Sequence, residues 1–96
     1  MHDEEFMVLP LQTMTVAVSL EAGQLLTGDI TVTGGKDDIL VYIKDDFGEQ
    51  IADFGTIAGT KQIAYRAVEL GFYTVCFDNS FSAVVNKQIK FHYTVR

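Results

Sequence analysis

The stretch Gly71-Phe72-Tyr73-Thr74-Val75-Cys76-Phe77-Asp78-Asn79-Ser80-Phe81-Ser82 decides the fold class of this chain. Tyr73, Val75 and Phe77 recur with a period of two, which places them on one face of a β-strand that packs against a core. Asp78 and Asn79 follow directly, and their side chains can bond to the nearby backbone in a tight turn. We therefore interpret this polar cluster as structural rather than catalytic, and predict that Asn79→Ala costs about 1–2 kcal/mol of stability.

Runs with the same period recur along the whole chain, and turn signals rich in glycine and aspartate separate them. Such spacing is typical of short antiparallel strands in a sandwich or barrel. We predict an all-β, antiparallel β-sandwich, jelly-roll-like, without a long helix. Its eight or so short strands are expected over residues 6–9, 13–20, 25–32, 38–44, 49–54, 60–67, 71–78 and 86–95.

The length of the chain indicates the number of domains, and its net charge limits the kinds of partner that it can bind. The chain has 96 residues, 48% of them hydrophobic, so a single domain over 1–96 is expected, with residues 1–5 disordered. The net charge of −6 repels phosphate backbones and anionic lipids, so we expect no nucleic acid partner. No apolar run is long enough for a membrane span, and membrane contact is expected only through parts of the protein outside this chain. We interpret Lys87, Lys90 and Arg96 as the solvated face of the last strand.

The sequence offers no assembled set of catalytic groups. His2 lies near the N-terminus, and His92 is expected on the outward face of the last strand. No spacing suggests a Ser-His-Asp set, and no G-x-S-x-G motif occurs. We therefore predict no enzyme activity, no catalytic residue, no cofactor and no metal site.

Acidic pairs flank one predicted strand, Asp37-Asp38 before it and Asp45-Asp46 after it. Loops at the two ends of a strand lie at opposite ends of a sandwich, whereas calcium needs six to eight converging oxygens. We interpret these residues as turn formers and solubilising charge. A β-sandwich that binds calcium or carbohydrate through acidic loops remains the alternative function.

The segment quoted above, together with Lys87 and the last strand, resembles the Golgi-dynamics (GOLD) domain. That family's ending is similar to Gly-x-Tyr-x-x-x-Phe-Asp-Asn-Ser-Phe/Tyr-Ser followed by a lysine. The matching residues are Gly71, Tyr73, Phe77, Asp78, Asn79, Ser80, Phe81, Ser82 and Lys87. We interpret all of them except Phe81 as a structural motif. Weaker matches follow in the right order upstream, at residues 23–28, 34–35, 38–39 and 46–48.

The resemblance implies a β-sandwich that makes protein–protein contacts in vesicle traffic between the endoplasmic reticulum (ER) and the Golgi, with cargo or adaptors as partners. It also leaves room for a weak homo- or hetero-oligomer. One branch consists of transmembrane cargo receptors with the domain in the lumen, and another of cytosolic adaptors; both sides remain open. The lumenal branch carries two paired cysteines. Cys76 matches the second, while Met14 or Thr15 stands where the first would lie.

Four residues carry further predictions. Cys76, the one cysteine of the chain, is expected to be a partly buried free thiol. Phe47 and Phe81 are aromatic residues in predicted loops, and we propose them as partner-binding residues because aromatics anchor interfaces. Lys87 is expected to pair with the carboxylate of Asp78 across the loop.

Overall fold

The computed structural model describes residues 2–34, 38–80 and 86–96. Within them lie eight β-strands and no helix, because the apolar residues keep a period of two and glycines or aspartates interrupt each run. The all-β prediction is confirmed. The strands are β1 His2–Val8, β2 Thr13–Leu20, β3 Leu25–Thr33, β4 Asp38–Lys44, β5 Gln50–Ala58, β6 Thr60–Arg66, β7 Gly71–Asp78 and β8 Lys87–Val95.

The strands form two four-stranded antiparallel sheets. One has the order β1-β8-β3-β6 and the other β2-β7-β4-β5. Successive strands mostly cross from one sheet to the other, which is the jelly-roll arrangement and confirms the predicted topology. Strands β1 and β6 are the edges of the first sheet, and β2 and β5 are the edges of the second.

The core lies between the sheets and is filled by alternate residues of each strand. Phe77 of β7 and Phe91 of β8 meet edge to face across it, with ring centroids 5.4 Å apart. Gly28 of β3 makes room for this packing. A Cβ atom there would lie 2.6 Å from Cε1 of the Phe91 ring and 3.0 Å from the His92 carbonyl oxygen. The close approach of two strands around Phe91 therefore requires glycine at this position.

The first strand begins earlier than its sequence pattern predicts. Residues 2–5, which the sequence predicts to be disordered, belong to β1 and pair with residues 90–93 of β8. The acidic residues there have low strand propensity, so no periodic signal marks them. Backbone pairing to β8 overrides that propensity. Phe6 stabilises the strand further, since its ring packs edge to face on that of Phe77, with the ring centroids 5.2 Å apart.

Candidate functional site

Four large apolar side chains stand in solvent at the end of the sandwich where β4 ends and β7 begins. We call them the Phe47 surface: Phe47, Val68, Leu70 and Phe72. Phe47 is 91% exposed, the highest value among the large hydrophobic residues that the structure describes as exposed. The four line a groove of about 410 Å³ together with Ile51, Tyr65 and Tyr73. Apolar groups gathered around one concavity are typical of an interaction surface.

The turn that carries Phe47 is held by the side chain of Asp45. Its Oδ1 atom accepts hydrogen bonds from the backbone N–H of Phe47 at 2.9 Å and of Glu49 at 3.0 Å. The Gly48 N–H donates to the Asp45 carbonyl oxygen at 3.1 Å, and Gly48 has the positive φ of 77° that closes the turn. The backbone on both sides of Phe47 is thus fixed although its ring lies in water.

A second carboxylate ties this turn to β7. Both oxygens of Asp46 lie 3.1 Å from the Phe72 backbone nitrogen, which donates to them. A Cβ atom on Gly71 would lie 2.7 Å from Asp46 Oδ2, so a larger residue there would push the carboxylate away from its present position. Gly71, a residue of the predicted structural motif, thus leaves room for the hydrogen bonds between Asp46 and the Phe72 N–H.

Tyr73 fixes the loop that carries Val68 and Leu70. Its hydroxyl donates to the Glu69 carbonyl oxygen at 2.5 Å, across four residues of the β6–β7 loop. The ring is buried and lies 5.7 Å from that of Tyr65. A tyrosine that bonds back to upstream backbone is a known way to lock a corner of a β-sandwich. Both loops of the Phe47 surface are therefore anchored by side chains.

The rim of the groove is acidic. Asp45, Asp46 and Glu69 line it, and none of the described lining residues is lysine or arginine. Apolar side chains inside a negative rim suit a partner that offers apolar anchors flanked by positive charge.

The predicted motif residues Asp78, Asn79, Ser80 and Lys87 lie at the opposite end of the sandwich. Asn79 is fully buried. Its side-chain amide donates to the carbonyl oxygens of Val8 at 3.3 Å and Leu9 at 3.2 Å, and its backbone N–H donates to the Gln12 carbonyl oxygen at 2.9 Å. Asn79 thereby joins the end of β1 in one sheet to the start of β2 in the other.

Asp78 closes the turn that follows β7, because its Oδ1 atom accepts the Ser80 backbone N–H at 2.7 Å. Burial alone would raise the pKa of Asp78. Hydrogen bonds from Ser80, Thr13 and Tyr42 outweigh that burial and lower the pKa below its usual value. Phe81 and Ser82 lie outside the described residues, so the proposed partner-binding role of Phe81 stays a prediction.

Lys87 corrects two of the expectations. The alternation of β8 points it inward, and it is 2% exposed, so it is not part of a solvated basic face. Its Nζ atom pairs with Asp38 Oδ1 at 2.7 Å, not with Asp78. Asp38 is the first residue of β4, and Lys87 is the first residue of β8 in the other sheet. Because the two residues are 49 positions apart, no local sequence pattern predicts their contact. The ion pair gives a structural role to Asp38, one of the acidic residues considered for calcium binding.

Cys76 is a free cysteine, as predicted, and it is buried rather than partly buried. Its thiol lies under neighbouring side chains on the outer face of the second sheet, opposite Tyr42 of β4 and Thr15 of β2. Burial raises the pKa of this thiol, the charge of Asp78 raises it further, and the charge of Lys44 works against both. The position directly across from Cys76 is held by Thr15.

The remaining titratable residues form no assembled centre in the described parts of the chain. His92 is on the outer face of β8, hydrogen-bonded to Asp3. Among residues 2–34, 38–80 and 86–96, no three His, Cys, Asp or Glu side chains are grouped as a metal site would require. The described residues also include no helix long and apolar enough to cross a bilayer.

The sequence indicated only one member of the Phe47 surface. Val68, Leu70 and Phe72 were missed, although they too have a period of two, out of phase with the core residues Tyr73 and Val75. Apolar residues at every second position from the β6–β7 loop into β7, out of phase with the core, are the signal that would have marked them.

The order of the strands places the protein among jelly-roll β-sandwich domains. Similar solved structures support that fold. They include the crystal structure of Aeromonas hydrophila PliG, a periplasmic lysozyme inhibitor of g-type lysozyme, at a TM-score of 0.63 and 13% identity, covering 99% of this chain and 83% of that one. Another is a structure described as "CBM4 structure and function", at a TM-score of 0.57 and 10% identity, covering 88% of this chain and 73% of that one. At these identities the likeness concerns the fold alone.

The chain belongs to the emp24/gp25L/p24 (GOLD) family, whose model matches residues 5–96. The resemblance noted in the sequence is confirmed. A search of curated proteins finds no match to this chain. The family implies a role in ER–Golgi trafficking, and it indicates the endomembrane system as the location. It is a family of trafficking domains that is not known for enzyme activity.

Proposed function

We propose that this domain binds a protein partner, cargo or trafficking adaptor, through the Phe47 surface and turns over no substrate. The observation that carries the proposal is the gathering of Phe47, Val68, Leu70 and Phe72 around one groove. Leaving four large apolar groups in water gives the free domain no stability. Their exposure is explained if a partner covers them.

The fixed backbone of the surface supports the same conclusion. Binding is weakened by the cost of ordering loops and side chains at an interface. Here Asp45, Asp46 and Tyr73 hold the two loops before any partner arrives. Phe47 and Phe72 also lose little rotamer freedom on binding, because an aromatic side chain has only two torsions. Because the site is preformed, little of the free energy gained from apolar contact is lost in ordering the loops, and the partner binds more tightly.

The acidic residues of this end have structural tasks that need no ion. Oδ1 of Asp45 accepts two backbone hydrogen bonds, and both oxygens of Asp46 face one backbone N–H. Their negative charge still lines the groove. We therefore propose a partner segment with one or two large apolar side chains next to lysine or arginine, which the acidic rim would attract.

A capture experiment with matched variants tests the proposal. The immobilised chain and its variants Phe47→Ser and Leu70→Ser are incubated with detergent extracts of ER and Golgi membranes, and bound proteins are quantified. Leu11→Ser is the matched control, because Leu11 is 66% exposed and Leu70 is 72% exposed, at opposite ends of the sandwich. Each exposed substitution should change stability by less than about 0.5 kcal/mol, which thermal melts verify.

The expected result is loss of the same bound proteins with Phe47→Ser and Leu70→Ser, and their retention with Leu11→Ser. For a purified partner, removal of a central aromatic anchor should cost about 2 kcal/mol, or roughly a 30-fold rise in Kd. Retention of every partner by both groove variants would contradict the proposal. Equal loss with Leu11→Ser would contradict it as well.

A further inference from the structure

The outer edge of β2 is an open backbone edge that leads to the Phe47 surface. β2 pairs with β7 on one side, and none of the described strands pairs with its other side. In that pairing Ser19 of β2 lies directly opposite Phe72, a member of the Phe47 surface. Both side chains are exposed on the outer face of the sheet. The open edge and the Phe47 surface are therefore continuous.

Four residues of β2 hold free backbone groups at this edge. The Asn79 N–H donates to the Gln12 carbonyl oxygen, and these two residues continue the β2–β7 register. Because hydrogen-bonded positions alternate with non-bonded ones in an antiparallel pair, the even-numbered residues of β2 bond to β7. The N–H and C=O groups that point to the open edge belong to Thr13, Thr15, Ala17 and Ser19.

The side chains of these four residues are small and stand on the outer face of the sheet. A further strand beside β2 would continue the row that runs from Phe72 through Ser19. Neighbouring strands are about 4.8 Å apart, so a residue opposite Ser19 would lie roughly 10 Å from Phe72. Two large side chains that face each other over a serine can close this gap. A large apolar residue on the added strand would thus contact Phe72.

Acidic side chains at this end of β2 favour a basic residue near that apolar one. Glu21, the next odd-numbered residue after Ser19, is exposed. On the other side of Phe72, Asp46 accepts the Phe72 N–H and adds a second carboxylate. An antiparallel segment would bring the residue two positions before its apolar one close to Glu21. Lysine or arginine suits that position, and the same combination of apolar and basic residues suits the acidic groove.

The other edges are protected against an added strand, whereas β2 is not. β1 carries three consecutive acidic residues, Asp3–Glu5, and β6 carries Lys61 and Arg66. The pairing of β5 with β4 has two register shifts, and Gly55 of β5 has a φ of +71°. Charges and bulges of this kind are how native sheets block edge association. The eight residues of β2 include no proline, no charged residue and no register shift.

From the open edge and its junction with Phe72 we infer that the protein partner binds through an extended segment, which adds an antiparallel strand to the second sheet beside β2. The odd-numbered residues of β2 hold the backbone of the segment, and its large apolar side chain reaches the Phe47 surface across Ser19. In strand addition, main-chain hydrogen bonds give affinity and alternate side chains give specificity. The inference rests on the proposed function, because it names the form in which the partner reaches the Phe47 surface.

A proline substitution separates edge binding from groove binding. Ala17→Pro removes an N–H that points to the open edge and leaves the β2–β7 hydrogen bonds intact. Ala64→Pro is the matched control, because Ala64 is an exposed alanine on the β6 edge and its N–H also points outward. That direction follows from the Ala67 N–H, which donates to the Gln24 carbonyl oxygen and so assigns the odd-numbered residues of β6 to β3.

A phage-displayed library of random peptides, each long enough to span β2, supplies the probe. Peptides selected on the immobilised chain are synthesised, and their dissociation constants are measured with the unmodified chain and with Phe47→Ser, Ala17→Pro and Ala64→Pro. Peptides that Phe47→Ser weakens are those that use the Phe47 surface. For these peptides Ala17→Pro should raise Kd about tenfold, since a hydrogen bond is lost and the proline ring obstructs the added strand. Ala64→Pro should leave Kd unchanged.

The outcomes distinguish the inference from the proposed function. If those peptides bind Ala17→Pro as tightly as the unmodified chain, the inference is overturned and the proposed function stands. A loss with Ala64→Pro as large as that with Ala17→Pro would also overturn the inference. A library in which Phe47→Ser weakens no selected peptide would contradict the proposed function, and the inference with it.

Hydrogen exchange of the unmodified chain gives a second readout that needs no variant. When a selected peptide saturates the chain, the odd-numbered amides of β2, from Thr13 to Ser19, should become protected. Those of Met14, Val16 and Val18 should be protected with and without the peptide. Odd-numbered amides that still exchange rapidly in the complex would overturn the inference. Protection that rises with chain concentration in the absence of peptide would overturn it as well, because a second copy would then occupy the edge.

Discussion

Asn79→Ala should be among the most damaging single substitutions in this domain. Asn79 lies where β7 ends, and its buried side-chain amide bonds to the last residue of β1 and to Leu9 beyond it. Alanine removes both donors at once. It also leaves a space where the carboxamide had been, inside the junction between the two sheets.

The expected loss follows from these contacts. Each donated hydrogen bond contributes about 0.5–1.5 kcal/mol, and the stranded Val8 and Leu9 carbonyls add desolvation cost that water relieves only in part. Including the lost packing, we expect a decrease of about 2–4 kcal/mol in the free energy of unfolding. This exceeds the 1–2 kcal/mol predicted from the sequence, which assumed one bond. For a domain of this size, the decrease corresponds to a fall in Tm of about 10–20 °C.

Urea unfolding followed by circular dichroism measures this decrease. Asn86→Ala is the matched control, since Asn86 is an exposed asparagine, and it should change stability by less than about 0.5 kcal/mol. Asn79→Asp keeps the shape but loses the donors, so it should be at least as damaging as alanine. A loss below 1 kcal/mol for Asn79→Ala, or one equal to that of Asn86→Ala, would refute the assigned role.

Three further predictions concern the core and the titratable groups. Gly28→Ala should lower the unfolding free energy by about 1–3 kcal/mol in urea melts, because its methyl group would collide with the Phe91 ring. Cys76 should react slowly with a thiol reagent at pH 7 in the folded chain, since burial raises its pKa, and one thiol per chain should react fast after unfolding. The pKa of Asp78 is lower in the folded than in the unfolded state, so its stabilisation is present above its unfolded pKa, near 4, and is lost as pH falls through the folded pKa. Asp78→Asn should therefore reduce the loss of stability between pH 5 and pH 2 in urea melts.

Most of the fold could be predicted because its signals are local. The period of two in residues such as Tyr73, Val75 and Phe77 depends only on the pleat of a strand. Turn glycines such as Gly48 mark its ends. β1 was predicted to begin four residues too late because its order comes from pairing with β8, and pairing between distant segments leaves no trace in a single local pattern.

The site was less predictable because its residues meet across the chain. Asp46 and Phe72 are 26 positions apart, and Asp38 and Lys87 are 49 apart. Sequence spacing shows that an aspartate is in a turn, but not which distant N–H it accepts. Phe47 could be predicted as an exposed residue because the turn that carries it is marked by its immediate neighbours Asp45, Asp46 and Gly48. The rest of its surface needed the register between β4 and β7.

Site-specific photocrosslinking in ER and Golgi membranes shows directly whether the Phe47 surface receives a protein partner. A photoreactive phenylalanine derivative replaces Phe47 in one version of the full-length protein and Thr60, an exposed residue of β6, in the other. We expect a discrete adduct from position 47 that is lost when Leu70→Ser is added, and no such adduct from position 60. Absence of an adduct at position 47, together with capture of the partner at position 60, would contradict partner binding at the Phe47 surface.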